Sequence, residues 1–310
     1  MQNSSSVTVF LLHGLNETAS HKNIFLAFTL LAYLLIWLFN LTLIITIITE
    51  KTLHEPMYIF LCNLCVNGLY GTAGLYPKLL ADFLSDSHLI SYAGCLTQAY
   101  VIYTSVLCEF TILTVMAYDR YVAICKPLQY HSIMTSLTIN KFLSISWILP
   151  FCETTIALFF TIRLPLCGSH IDKLYCDNWS IVKLSCVDNI LNNVYGNIVL
   201  LIQVCQALFI VNSYFHIVRA CVKSSEEMSK FMQTCLPHLI SLISFTISIV
   251  FDVLYSRYGS RNMPQGVRNF LAVEFLVIPP VLNPLIYGLK LNQISRRVMW
   301  VFSRKVHILK

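Results

Sequence analysis

Met116-Ala-Tyr-Asp-Arg-Tyr-Val-Ala-Ile-Cys-Lys-Pro-Leu-Gln-Tyr130 decides how this chain is read. A long apolar run enters it from Tyr92, meets the adjacent opposite charges Asp119 and Arg120, and stops at Pro127, which cannot continue a helix. Charges that close a long apolar helix mark a membrane boundary, so Asp119 and Arg120 stand where the helix leaves the bilayer. Composition agrees. The chain is 56% hydrophobic and 12% charged, whereas a soluble domain carries about 25% charged residues. A helical membrane domain is the economical reading, because each span needs about 20 apolar residues and several such runs are present. The net charge of +6 is then a matter of topology, and no nucleic-acid partner is expected.

Residues 1–23 are polar around one short apolar patch, Val7 to Leu12, and read as an extracellular segment without a cleavable signal peptide. Residues 24–289 hold seven candidate spans, and residues 290–310 form a cytoplasmic tail. Ile24 to Thr49 carries no charge and is the first span. The others run from about Met57 to Tyr76, Tyr92 to Ile124, Phe142 to Ile162, Ile190 to Val218, Lys230 onward, and Asn269 to Leu289. Leu291 to Phe302 alternates Arg296 and Arg297 with apolar residues, as expected of a short amphipathic helix on the inner leaflet. The fold class is therefore an all-α membrane protein, a seven-transmembrane-helix bundle. Lipid is its first partner.

Orientation follows from counting. With the amino terminus outside, inner segments hold Lys51, Arg120, Lys126, Lys141, Arg219, Lys223, Lys230, Lys290 and five tail cations, the majority of the 21 Lys and Arg. That excess obeys the positive-inside rule. The glycosylation triplets at Asn3, Asn16 and Asn178 fall on the outer side in the same scheme. So do Cys95, Cys167, Cys176 and Cys186, where an oxidising compartment favours bridges and four cysteines allow three pairings. Cys62 and Cys65 lie inside a span with no second ligand pair, so no metal is expected. Glu109, in the middle of the third span, must face the bundle interior, since a carboxyl there costs about 2.5–3.5 kcal/mol.

Met116 to Cys125 resembles the signature of the olfactory receptors within the rhodopsin-like G protein-coupled receptors. Two further stretches resemble that family: Leu53-His-Glu-Pro-Met-Tyr58, which leads into the second span, and Pro279-Pro-Val-Leu-Asn-Pro-Leu-Ile-Tyr287 in the seventh. A partial match occurs at Lys230, Thr234, Cys235 and His238. The chain departs from rhodopsin-like receptors at Gly68, where most place a sodium-holding aspartate.

The resemblance implies a plasma-membrane odorant receptor with an extracellular amino terminus, acting through a stimulatory olfactory heterotrimeric G protein. It pairs Cys95 with Cys176 and Cys167 with Cys186. It gives Asp119, Arg120, Tyr121, Tyr214, His238, Asn283, Pro284 and Tyr287 roles in coupling and activation. A ligand cavity is expected in the outer half, among the third, fifth, sixth and seventh spans. Ile102, Tyr103, Val106 and Leu107 would line it, opposite Ile198, Ile202, Ile249, Val250 and Val253. Amine-binding relatives place an acid where this chain has Ile102, so the usual amine contact is missing. Outer cations such as Arg163, Lys173 and Lys183 are candidates for drawing in acidic ligands. A non-olfactory chemosensory receptor for a metabolite or peptide is the alternative on the same fold. No cofactor is implied, and neither a metal cluster nor a polar stripe suggests an enzyme or channel.

Overall fold

The structure, a computed structural model, describes residues 7–14, 22–85, 87–222, 225–258 and 276–286. Seven apolar helices are found among them: α1 (Lys22–Thr49), α2 (Pro56–Leu84), α3 (Tyr92–Cys125), α4 (Ser136–Ile162), α5 (Ile190–Cys221), α6 (Ser225–Tyr258) and α7 (Leu276–Ile286). The first five are long and apolar enough to cross a membrane. At about 1.5 Å per residue even α4, the shortest of them, exceeds the roughly 30 Å hydrocarbon core. The tail segment expected to form an amphipathic helix lies outside the described residues.

Helix starts follow local chemistry. Pro56 opens α2 at a position whose N–H would be unbonded anyway. Ser91 Oγ accepts from the Gly94 amide at 3.1 Å to cap α3, and Thr135 Oγ1 accepts from the Thr138 amide at 3.3 Å to cap α4. Both α2 and α4 continue through an internal proline, Pro77 and Pro150.

Burial sorts the helices by position. In α1 the buried residues Ile36, Asn40, Leu43 and Ile47 recur every three or four positions, while Ile24, Phe28, Leu31 and Leu34 are open on the other faces. That is the pattern of a peripheral helix with one face on the bundle and apolar residues on the faces turned away from it. In α3, Ile102, Cys108, Ile112, Leu113 and Met116 are all sealed, so α3 runs through the centre. Close approach to it needs small residues: a Cβ on Gly71 of α2 would stand 2.2 Å from Ser105 Oγ, and one on Gly74 2.8 Å from Val101 Cγ1. Asn67 Nδ2 fixes the same seam by donating to the Ser105 carbonyl at 2.9 Å.

Above the bundle lies a small sheet that the apolar patch at Val7 to Leu12 did not announce. Strand β1 (Val9–Leu12) pairs antiparallel with β2 (Leu89–Ser91) and parallel with β3 (His170–Ile171). Phe10, Leu12 and Ile171 are thereby buried against Cys95, Cys176 and Ile181. The amino-terminal segment is thus partly a strand of the cap over the bundle mouth. His13 and His170 meet edge-on beside it, Nε2 to Nδ1 at 3.2 Å.

Candidate functional site

The connector between α4 and α5 is pinned by two disulfides. Cys95, in the first turn of α3, is bonded to Cys176, with Cα atoms 5.3 Å apart, and Cys167 is bonded to Cys186 at 5.2 Å. Cys62, Cys65, Cys108 and Cys205 are free thiols. Gln98 adds a second anchor, since its Oε1 accepts from the Cys176 amide at 2.8 Å and its Nε2 donates to the Gly74 carbonyl at 3.0 Å. The one-turn helix Asn178–Val182 is therefore held down over the bundle mouth.

Beneath it is a cavity of about 280 Å³, near the lower end of the roughly 300–1,000 Å³ range of ligand sites. Ile102, Tyr103, Val106 and Leu107 line it from α3, and Ile249 and Val250 from α6, where the sequence put them. Ile198 and Ile202 do not. The residues of α5 that reach the cavity are Asn192, Tyr195, Val199, Gln203 and their neighbours at helical spacing, so Ile198 stands on another face and is 49% exposed. The Val253 side chain lies outside the described residues. Among those residues the cavity's fourth wall is α4, through Glu153, Thr154 and Ala157, rather than the seventh span. Glu153 was legible in sequence as an acid inside an apolar helix; its direction was not.

Asn178 lines the cavity, and its Oδ1 accepts from Thr161 Oγ1 at 2.7 Å. Asn3 and Asn16 lie outside the described residues. One other reading changes. Lys173 does not await an acidic ligand, because its ammonium sits 3.3 Å from Asp177 and 3.4 Å from Asp252 of α6. Burial alone would lower that ammonium's pKa; the two carboxylates outweigh it and hold the value above the ordinary one. Arg163 lies over the Phe159 ring, and burial pushes Lys183 down.

At the inner end, Asp119 is fully buried and paired with its neighbour Arg120, whose Nε donates at 2.9 Å. Tyr130, just beyond α3, donates its hydroxyl to the other Asp119 oxygen at 2.8 Å. Burial and then the adjacent carboxylate raise the Tyr130 phenol above its usual range. Tyr130 was quoted in the motif yet given no role. Tyr121 is half-buried and turned toward His216 of α5, ring centroids 6.1 Å apart. Tyr214 of α5 and His238 of α6 are hydrogen-bonded through the hydroxyl and Nδ1, both buried. Asn283 of α7 donates to Glu109 at 3.1 Å, so the buried carboxyl has an interhelical partner; Pro284 is buried beside it. Tyr287 lies outside the described residues.

Residues 28–305 match the family profile described as olfactory receptor. The chain belongs to the olfactory receptor family. It is 36% identical to human olfactory receptor 52J3 over 88% of each chain, and 34% identical to human olfactory receptor 4K14 over 98% of each. Among solved structures it is similar to squid rhodopsin, with a TM-score of 0.71 and 14% identity over 92% of this chain and 86% of that one. As an olfactory receptor it is a multi-pass membrane protein of the G protein-coupled class, a signalling receptor rather than an enzyme, with a small-molecule ligand and a G protein as its partners.

Proposed function

We propose that this receptor sits in the plasma membrane with its amino terminus outside. It holds an odorant in the cavity under the pinned loop and activates the stimulatory olfactory G protein from its inner face. Lipid covers the outward faces of the helices, and nucleic acid has no part. One observation carries the reading: α6 serves both ends. Phe245 and Ile249 line the cavity, with the Phe245 ring 6.2 Å from that of Phe110, and two turns inward His238 is bonded to Tyr214. A ligand that favours one position of Phe245 therefore biases the inner contact of the same rigid helix. Differential affinity for two arrangements is all that signalling requires.

In the resting arrangement Asp119, itself held by the Tyr130 hydroxyl, holds Arg120 at the inner rim. Outward movement of α6 parts Tyr214 from His238 and frees the guanidinium to meet the carboxyl-terminal helix of a G protein α subunit. The break at Asn283 and Pro284 lets the end of the seventh span, with Tyr287, follow. The test is a ligand panel on cells reporting cyclic AMP, with a surface tag at the amino terminus. Arg120→Ala is expected to reach the surface and lose the response. A response surviving that change, or a tag reachable only after permeabilisation, refutes the reading.

A further inference from the structure

The cavity has two unlike walls. On the α3 and α6 side it is mostly hydrocarbon and ring, through Ile102, Val106, Phe110, Phe245 and Ile249, with Tyr103, Thr246 and Asp252 as its polar members. On the α4 and α5 side, Glu153 Oε1, Thr154 Oγ1 and both side-chain amide atoms of Gln203 are sealed from solvent and have no hydrogen-bond partner. Buried polar atoms are nearly always matched in folded proteins, and a set of unmatched ones on one cavity wall points to a partner that comes from outside. An apolar wall facing a polar wall fits an amphiphile with a single polar head.

Glu153 decides which head. It is 5% exposed, and no ion pair joins it to a cation among the described residues. Tyr195 reaches its backbone carbonyl at 3.0 Å, not its carboxyl group. A buried carboxylate without counter-charge is expensive, and a ligand that brings the charge relieves that cost. A carboxylic acid ligand would set a second carboxyl without counter-charge beside Glu153, since the other acid of the lining, Asp252, already has Lys173. An alcohol can exchange only neutral hydrogen bonds with Glu153, which stays protonated without a counter-charge, whereas an amine takes up that proton and pairs with the carboxylate left behind. An alkylammonium supplies a positive charge and three N–H donors, for which Glu153 Oε1, Thr154 Oγ1 and Gln203 Oε1 are acceptors on that wall.

We infer that the receptor's ligand is a small primary amine with an apolar body, its ammonium paired with Glu153 of α4 and its body against α3 and α6. The inference rests on the cavity being the ligand site. Ile102 removes a counter-ion from α3, and Glu153 offers one from the opposite wall.

The test uses full-length receptor in detergent and reads the rise in unfolding temperature on adding ligand, so it needs no G protein. The probes are 2-phenylethylamine and cyclohexylamine, with 2-phenylethanol, cyclohexanol and phenylacetic acid as matched controls. An amine is expected to bind at least about tenfold more tightly than its alcohol, and the acid not at all. Glu153→Gln is expected to weaken the amine at least about tenfold and leave the alcohol nearly unchanged. If that variant does not fold, Glu153→Asp, which keeps the charge but withdraws it by one methylene, is expected to weaken the amine too. Absence of amine binding, or amine binding untouched by either change, overturns the inference. Val106→Trp separates the two levels. It fills the cavity, so amine binding that survives it overturns the cavity as the ligand site; amine binding lost with Val106→Trp but kept with Glu153→Gln overturns the pairing with Glu153 alone.

Discussion

Gly71→Ala tests the seam on which the bundle is assembled. An added methyl would stand 2.2 Å from Ser105 Oγ and 2.8 Å from Ser105 Cβ, more than 1 Å inside ordinary contact with the oxygen. Rotating the hydroxyl away does not help, because the Cβ contact stays. Ser105 cannot retreat either, since Asn67 Nδ2 is bonded to its carbonyl at 2.9 Å in the turn below. The helices must separate, and overpacking of this kind costs about 1–3 kcal/mol. Parting α2 from α3 also loosens the Asn67 bond, worth about 1 kcal/mol. A total near 3 kcal/mol shifts the folding equilibrium by roughly 150-fold. The assay is surface delivery of tagged receptor, together with unfolding temperature in detergent; both are expected to fall. Ser105→Gly removes both offending atoms, so the double variant Gly71→Ala with Ser105→Gly is expected to recover most of the loss, giving a coupling of about 1–2 kcal/mol. Wild-type delivery of the single variant, or no recovery in the double, would show that α2 and α3 do not meet at these residues.

Three further outcomes are expected. The Cys95–Cys176 bridge closes 81 residues and the Cys167–Cys186 bridge 19, which corresponds to about 4.5 and about 3.2 kcal/mol of loop entropy. Cys95→Ser should therefore abolish surface delivery while Cys186→Ser reduces it, and the reverse order would contradict the pinning role of Cys176. Asp119→Asn removes a charged acceptor that holds Arg120 and Tyr130. Such bonds are worth about 1.5–3 kcal/mol, so basal cyclic AMP should rise by a factor of ten or more before saturating, and unchanged basal signalling at equal surface level counts against the latch. Lys173→Met breaks the tie from the loop to Asp252 of α6. Because the folded-state pKa of Lys173 is raised, its contribution is complete below the unfolded value near 10.4 and is lost only as pH rises through the folded one. The stability gap between wild type and variant should stay constant from about pH 6 to 9, and a gap that closes within that window would contradict a charged Lys173.

By itself the sequence determined what depends on neighbours along the chain. Runs such as Ile24 to Thr49 commit to membrane helices because their length and lack of charge leave no alternative. The fifteen residues from Met116 place an ion pair where a span ends. The outer cysteines share one compartment with the amino terminus. Rotation of each helix was another matter. In a membrane bundle the face toward lipid is as apolar as the face toward the core, so α5 offered no stripe to separate Ile198 from Gln203, and α4 gave no sign that Glu153 looks into the cavity. Long-range pairings were equally hidden: β1 finds β3 some 160 positions away, and Lys173 finds Asp252 across 79. Such contacts exist only once the packed helices bring the two partners together, which is why tertiary structure alone brought Asn178 to the cavity, set Lys173 between two carboxylates, and left Glu153 on the cavity wall with no ion pair.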